Sequence, residues 1–90
     1  MESKEQPAPK MDSASLWREE TYTDRKVGMI RRMVAIKPDG STDAARQDIF
    51  VGEASLMTPA GALPLTFEIP AAGLADAVEK YGPELELALQ

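Results

Sequence analysis

The sequence predicts an α+β domain, in which an antiparallel meander sheet of three to four strands is followed by a C-terminal helix packed on one face. Three observations favour this fold. Within residues 46–69, residues 62–69 alternate between apolar and mixed side chains with a period of two, and residues 46–57 form a second strand-like run that is largely apolar on both faces. A Pro-Gly turn at residues 58–61 divides this stretch into a hairpin. After Ile69 the apolar spacing changes to alternating steps of four and three, which is typical of one helix face.

The length of 90 residues predicts one domain, residues 14–90, preceded by a disordered tail, residues 1–13. The tail is rich in charge, proline and small polar residues, so it cannot bury enough apolar surface to offset the entropy of ordering. A domain of this size is marginally stable unless it is cross-linked or oligomeric. The chain has no cysteine, which excludes a disulfide.

The first two predicted strands differ in character. Residues 15–23 contain Trp17, which we expect to anchor one end of the core. Residues 25–37 are apolar on both faces, with Arg31 on one face and Arg32 on the other. A strand that is apolar on both faces is usually covered on both sides. It ends at a Pro-Asp-Gly sequence, which is a strong turn signal.

The last two predicted strands each contain a residue that is unusual in a sheet. Residues 46–57 include Gly52, which indicates a bulge or the close approach of another backbone. Residues 62–69 include Pro64, which has no N–H for a ladder and therefore indicates an edge strand or the start of a strand. Short connections favour pairing between strands that are neighbours in sequence.

The helix is predicted from an apolar stripe. The stripe consists of Leu74, Val78, Tyr81, Leu85 and Ala88. Gly82 and Pro83 interrupt it, and a proline inside a helix costs about 3 kcal/mol. The alternative is a second helix that starts at Pro83, where proline is tolerated. Because the apolar register continues past the proline, we expect one kinked helix.

A single helix covers only one face of the sheet, so the apolar side chains on the other face must meet a second copy or form a large exposed patch. We therefore expect a homodimer with two-fold symmetry. Its interface should use the sheet face opposite the helix, the helix, or both. The candidate interface residues are Met29, Arg31, Arg32, Met33 and Val51.

The residue types argue against an enzyme. The chain has neither histidine nor cysteine, so the commonest general base, the best nucleophile and the usual zinc ligands are missing. No glycine-rich phosphate loop is present. Residues 37–43 contain spaced acids but lack the glutamate that completes an EF-hand loop. We expect no catalytic residues, no cofactor and no metal.

The net charge of −5 is unevenly distributed along the chain. Residues 18–37 carry six Lys and Arg against three acids, and residues 38–90 carry two basic side chains against nine acids. An acidic chain repels nucleic acid at long range, so nucleic acid is disfavoured as a partner. The distribution favours ion pairing within or between subunits.

We therefore expect a non-enzymatic, homo-oligomeric protein-interaction module, which could also bind a further protein partner. The alternative function is a regulator that binds a small ligand or nucleic acid through Arg31 or Arg32 in a sheet groove. These two side chains face opposite ways on a strand, so only one could contact a given ligand. The competing interpretation is an ion pair with Glu53 or Glu68 across the sheet or a subunit interface.

Several features indicate a cytoplasmic protein. No apolar run approaches the roughly 20 residues of a membrane span, no signal peptide is visible, and the lack of cysteine suits a reducing compartment. Residues 49–71, IFVGEASLMTPAGALPLTFEIPA, followed by residues 74–81, LADAVEKY, resemble short bacterial cytoplasmic proteins of unassigned function. The resemblance covers roughly a third of the chain and includes no site motif. It implies a bacterial cytoplasmic origin and no activity.

Overall fold

The computed structural model describes residues 7–90, in which four strands are followed by one helix. The elements are β1 (Trp17–Thr23), β2 (Met29–Ala35), β3 (Ile49–Thr58), β4 (Gly61–Ile69) and α1 (Leu74–Ala88). The strands lie in the order β1-β2-β3-β4, and each neighbouring pair is antiparallel. This meander with its C-terminal helix confirms the predicted α+β class.

The predicted disordered tail, residues 1–13, lies partly outside the described residues. Residues 7–12 are exposed and have no regular secondary structure. The chain first turns at residues 13–15, where the Asp12 carboxylate accepts hydrogen bonds from the Ala14 N–H and the Ser15 hydroxyl, both at 3.0 Å. This turn leads directly into β1.

β2 begins at Met29 rather than at residue 25, because the residues before it form a turn. The Asp24 carboxylate accepts hydrogen bonds from the backbone N–H groups of Lys26 and Val27, both at 2.9 Å. Arg25 has a φ of +60°, in the left-handed region that strand residues do not adopt. The aspartate therefore offers the backbone an alternative to the sheet ladder.

The strand predicted over residues 46–57 begins only at Ile49, so Arg46 belongs to the loop between β2 and β3. Its guanidinium donates to the Asp43 carboxylate at 3.0 Å and to the carbonyl oxygens of Leu16 and Ile36 at 2.9 Å each. It also lies 4.8 Å from the centroid of the Trp17 ring, a cation–π contact. Arg46 thus fastens the loop to the start of β1 and covers the tryptophan.

The hydrophobic core lies between α1 and the side of the sheet that faces it. Its buried residues are Ile30, Phe50, Phe67, Ile69 and Ala77. The turn between β3 and β4 contains Gly61 with a φ of +121°, which L residues rarely adopt, so glycine is needed there. β4 is an edge strand, and this agrees with the prediction made from Pro64.

The sequence indicated a bulge or the close approach of another backbone at Gly52. The structure shows neither, and a side chain approaches the glycine instead. It pairs with Ile30 on one side and Phe67 on the other, and both ladders continue through it without interruption. A Cβ atom at this position would lie 2.5 Å from Cζ of Phe67, closer than real Cβ contacts. The phenylalanine ring therefore occupies the space over the glycine.

α1 continues through Pro83 as a single helix, as the apolar register predicted, but its orientation differs from the predicted stripe. Ala77 is 0% exposed and faces the core, whereas Val78 is 57% exposed. Leu74, Tyr81 and Leu85 pack against the core, and Ala88 is exposed. The sheet beneath already carries large side chains, so the helix approaches it with a small residue.

Tyr81 fixes the position of α1 on the sheet. Its hydroxyl donates to the backbone carbonyl of Glu53 at 2.8 Å, and its ring meets Phe67 edge to face with centroids 5.3 Å apart. Gly28 leaves room for this hydroxyl, since a Cβ there would overlap it. Burial raises the pKa of Tyr81. α1 consequently lies over β4, β3 and part of β2, and makes no close backbone contact with β1.

Replacement of Phe67 by alanine should destabilise the domain by roughly 3–5 kcal/mol, because it removes a buried ring and leaves a cavity. Urea denaturation followed by circular dichroism measures this change. Leu63→Ala is the matched control, since Leu63 lies on the same strand but is exposed. A midpoint that is equal for Phe67→Ala and the unmodified chain would contradict the described core.

Replacement of Gly52 by alanine should also destabilise the domain, by about 1–3 kcal/mol, because the added methyl group displaces the Phe67 ring. Gly73→Ala serves as the control, because a Cβ at Gly73 meets no atom within 4 Å and its φ of −167° is extended. Thermal melts of both variants test the difference. Equal melting temperatures of the two variants would show that a methyl group at residue 52 does not displace the Phe67 ring.

Candidate interaction surfaces

The sheet face opposite α1, here called the open face, carries four of the five candidate interface residues. Met29, Arg31, Met33 and Val51 lie on it, and all four are half-buried by their neighbours. The apolar side chains on this face are thus partly shielded within the chain. Their role in an interface stays a prediction.

Arg31 forms an ionic network across the open face. Its guanidinium lies 3.1 Å from the Glu53 carboxylate and 3.7 Å from that of Glu19. The predicted cross-strand pair with Glu53 is therefore present. Pairs of this exposure contribute about 0–1 kcal/mol, so the network affects charge more than stability. Two carboxylates compensate the arginine, which disfavours its use for a phosphate.

Arg32 lies on the helix-facing side of the sheet and cannot share a surface with the other four candidates. Its guanidinium donates twice to one carboxylate oxygen of Asp48, at 3.0 and 2.8 Å, and lies 5.5 Å from the centroid of the Phe50 ring. The hydrogen bond to Asp48 raises the pKa of Arg32. The prediction that the two arginines face opposite ways is confirmed, and the role of Arg32 in an interface stays a prediction.

A groove of about 420 Å³ opens on the helix-facing side, over the half of the sheet that α1 leaves uncovered. Tyr22 and Ile30 form its floor, Val78 and Gly82 belong to its helix wall, and Val27 belongs to the wall made by the β1–β2 turn. Val27 is 65% exposed and Val78 is 57% exposed, so both present aliphatic surface at the groove. The arrangement suits an apolar occupant.

Two hydroxyl groups that line the groove already donate hydrogen bonds within the chain. The Tyr22 hydroxyl donates to the Glu20 carboxylate at 2.6 Å, and the Thr23 hydroxyl donates to the Gly28 carbonyl at 2.7 Å. The first of these bonds raises the pKa of Tyr22 and lowers that of Glu20. Because its hydroxyl is engaged, Tyr22 offers an occupant mainly its ring.

Charges of opposite sign lie beside the groove and at the end of α1. Arg25 and Lys26 on the β1–β2 turn are exposed and form no ion pair with residues 7–90. Glu84 and Glu86 likewise lack an ion pair in this range, and the last turn of α1 contains no basic residue. Acids near a helix C-terminus are unfavourable because of the helix dipole. Within residues 7–90, these four side chains could therefore pair with charges of a partner.

The two sheet edges are poor sites for strand addition. Pro64 lies within the edge strand β4 and cannot donate a ladder hydrogen bond to a further strand. The other edge strand, β1, carries consecutive charges at Arg18, Glu19 and Glu20. Proline and charged residues are the usual means of blocking edge-to-edge pairing. A partner is therefore expected on a face and not on an edge.

Sequence reasoning missed the groove because its components are far apart in the chain. Val27 was assigned to a strand and Val78 to the core. Two signals were present: an aliphatic residue in a turn directly after two basic residues, and a helix with more apolar residues than one stripe needs. Neither signal identifies a groove until the turn and the helix wall are placed together.

Protonation of Asp24 should loosen the turn wall of the groove. Hydrogen bonds from the Val27 and Lys26 N–H groups lower the pKa of Asp24 below its usual value of 3.8. Since the folded pKa is the lower one, the stabilisation is present above the unfolded pKa and is lost as the pH falls through the folded pKa. The amide shifts of Lys26 and Val27, followed by NMR, should therefore titrate with a midpoint below the usual aspartate value of 3.8. Asp24→Asn should abolish this transition, and a midpoint above the usual value would contradict the assignment.

In the described range, no group of three or more carboxylates is placed to hold a metal ion. No helix of residues 7–90 is both long and apolar enough to cross a membrane. Comparison of the chain with protein-family models, with curated proteins and with solved structures finds no match.

Proposed function

We propose that this protein is a non-enzymatic interaction module that works as a homo-oligomer, in its simplest form a homodimer. The observation that carries the proposal is the apolar groove on the helix-facing side, with Val27 and Val78 exposed beside it. Aliphatic side chains gathered around a concavity are typical of binding surfaces, whereas single exposed aliphatic residues need no explanation.

The shape of the chain supports the same proposal. Its accessible surface is 6660 Å², whereas a compact monomer of 9.8 kDa is expected to expose about 5200 Å². The chain, with its exposed N-terminal segment included, measures 50 × 39 × 23 Å. A small domain with this much surface gains more from association than a compact one.

The alternative of a ligand- or nucleic-acid-binding regulator has less support. Arg31 and Arg32, the side chains it would use, are both paired with carboxylates. A phosphate would have to displace Glu53 or Asp48 before it could bind. Catalysis is disfavoured as well, because the chain lacks histidine and cysteine. We further propose a bacterial cytoplasmic location, for which the absence of cysteine supports the reducing compartment only.

Self-association is tested by sedimentation of the purified chain at tens of micromolar. We expect a mass twice the 9.8 kDa of the chain, falling toward one chain on dilution. Circular dichroism at the same concentration establishes that the protein is folded. A folded monomer over the whole concentration range would refute the proposed function.

A further inference from the structure

β3 and β4 extend beyond the rest of the sheet as a two-stranded projection, here called the arm, which consists of residues 54–65. The ladder between β2 and β3 ends with the pair of Met29 and Glu53, whereas β3 stays paired with β4 from Ala54 to Thr58. Within residues 7–90 the arm therefore has no third strand. At about 3.4 Å per residue it is about 17 Å long. A two-stranded hairpin is only marginally stable by itself in water, so a further contact would stabilise it.

The arm is apolar on both of its faces. Leu56 lies opposite Leu63 on the helix-facing side, and Met57 lies opposite Ala62 on the other side. Met57 is 80% exposed and Leu63 is 53% exposed. Residues 54–67 contain no charged side chain. Exposed hairpin ends are normally polar, so an uncharged projection with apolar side chains on both faces is typical of a segment that another surface covers.

The arm does not reach the groove of its own chain. The groove floor contains Ile30, which lies opposite Gly52 in the sheet, on the side of Glu53 away from the arm. Met57 lies four residues beyond Glu53, or about 14 Å along the strand. The ladder between β3 and β4 continues to the tip and keeps the arm extended. An arm that fills such a groove must therefore belong to another copy.

We propose that the arm of each subunit occupies the groove of a second copy, so that two chains exchange arms about a two-fold axis. The inference rests on the proposed self-association and specifies its interface. The arm and the groove lie at the same end of the sheet, since the β1–β2 turn that forms one groove wall follows directly on the Met29–Glu53 pair. Two copies that meet by these ends have their sheets extending in opposite directions, so the sheets do not overlap. The contact joins two different surfaces, and the two-fold axis forms it twice.

The two surfaces match in chemistry. Four of the large apolar side chains that are most exposed in residues 7–90 lie on them: Met57 and Leu63 on the arm, Val27 and Val78 at the groove. Burial of these side chains against each other removes apolar surface from water. It desolvates no charge of the arm, because the arm has none.

The charges around these surfaces favour a second copy over a different partner. Glu84 and Glu86 follow within about two turns of Tyr81, which contacts the base of the arm. Arg25 and Lys26 lie on the turn that forms the groove wall. When two copies meet by their arm ends, the acids of one chain approach the bases of the other. Opposite charges at an interface rim fix its register and accelerate association.

The interface is tested by placing one charge at each of four sites and measuring the dimer dissociation constant by sedimentation. Met57→Glu on the arm and Val78→Lys at the groove should each raise the constant by about 30-fold or more, because each puts an unpaired charge into the contact. Both side chains are exposed in the single chain, and circular dichroism establishes that the variants are folded. Met11→Glu is the matched methionine control, since Met11 is 85% exposed and lies outside both surfaces. Met33→Glu tests the open face. The two controls should dimerise as the unmodified chain does.

A mixture of the two interface variants tests whether the arm meets the groove. In a dimer of one Met57→Glu chain and one Val78→Lys chain, an unmodified arm occupies an unmodified groove, and the other contact pairs the glutamate with the lysine. The mixture should therefore dimerise at least about ten times more tightly than either variant alone. A mixture no tighter than the separate variants would show that the arm and the groove do not meet.

A measurement on the unmodified chain needs no substitution. In a mixture of isotope-labelled and unlabelled copies, filtered NMR spectra detect only contacts between subunits. We expect nuclear Overhauser effects from the methyl groups of Met57 and Leu63 to those of Val27 and Val78. Contacts confined to open-face methyl groups such as that of Met33 would overturn the exchange of arms.

The outcomes separate the interface from the function. A monomeric unmodified chain refutes both. A dimer that is insensitive to Met57→Glu or to Val78→Lys keeps the proposed function and overturns this interface, since the arm is then left for a different partner. A dimer that Met33→Glu or Met11→Glu weakens as much as Met57→Glu does also overturns it. Assemblies that grow beyond two chains keep the proposed function and overturn the closed exchange.

Discussion

The contact between Tyr81 and the backbone of β3 determines how the rest of the molecule is arranged. Its hydroxyl reaches the Glu53 carbonyl only because Gly28 has no side chain, and its ring rests on Phe67, which occupies the space left by Gly52. These contacts hold α1 to one side of the sheet. The uncovered half, and with it the groove, follows from this off-centre position of the helix.

The sequence periodicity was sufficient to predict β2, β3, β4 and α1, because one face of each of these elements is buried against the core. It did not predict the turn before β2. Asp24 forms that turn through hydrogen bonds to nearby backbone N–H groups, and a count of apolar residues does not register such bonds. Arg46 was misplaced for a similar reason, since its partners are carbonyl groups at three separate points of the chain.

The candidate surface was only partly predictable. The sequence showed an excess of apolar residues over what one helix and one sheet face need, and it correctly placed Arg31 and Arg32 on opposite faces. It predicted a helix stripe that contains Val78, but the helix is oriented so that Ala77 faces the core and Val78 is exposed. The side-chain volumes of the sheet determine the orientation of the helix. Phe50, Phe67 and Ile69 are large, so a residue as small as Ala77 packs against them.

Pro83 makes α1 locally flexible, although the helix is continuous. Proline has no N–H, so the carbonyl oxygen of Glu79 lacks its helical hydrogen bond, and the helix is less stiff at this point than elsewhere. Leu85 is the one residue beyond Pro83 that packs against the core cluster. The last turn of α1 can therefore bend at Pro83 while Tyr81 and Ala77 keep their contacts with the sheet. The end of α1 can then adapt its shape to a partner without any change in the sheet.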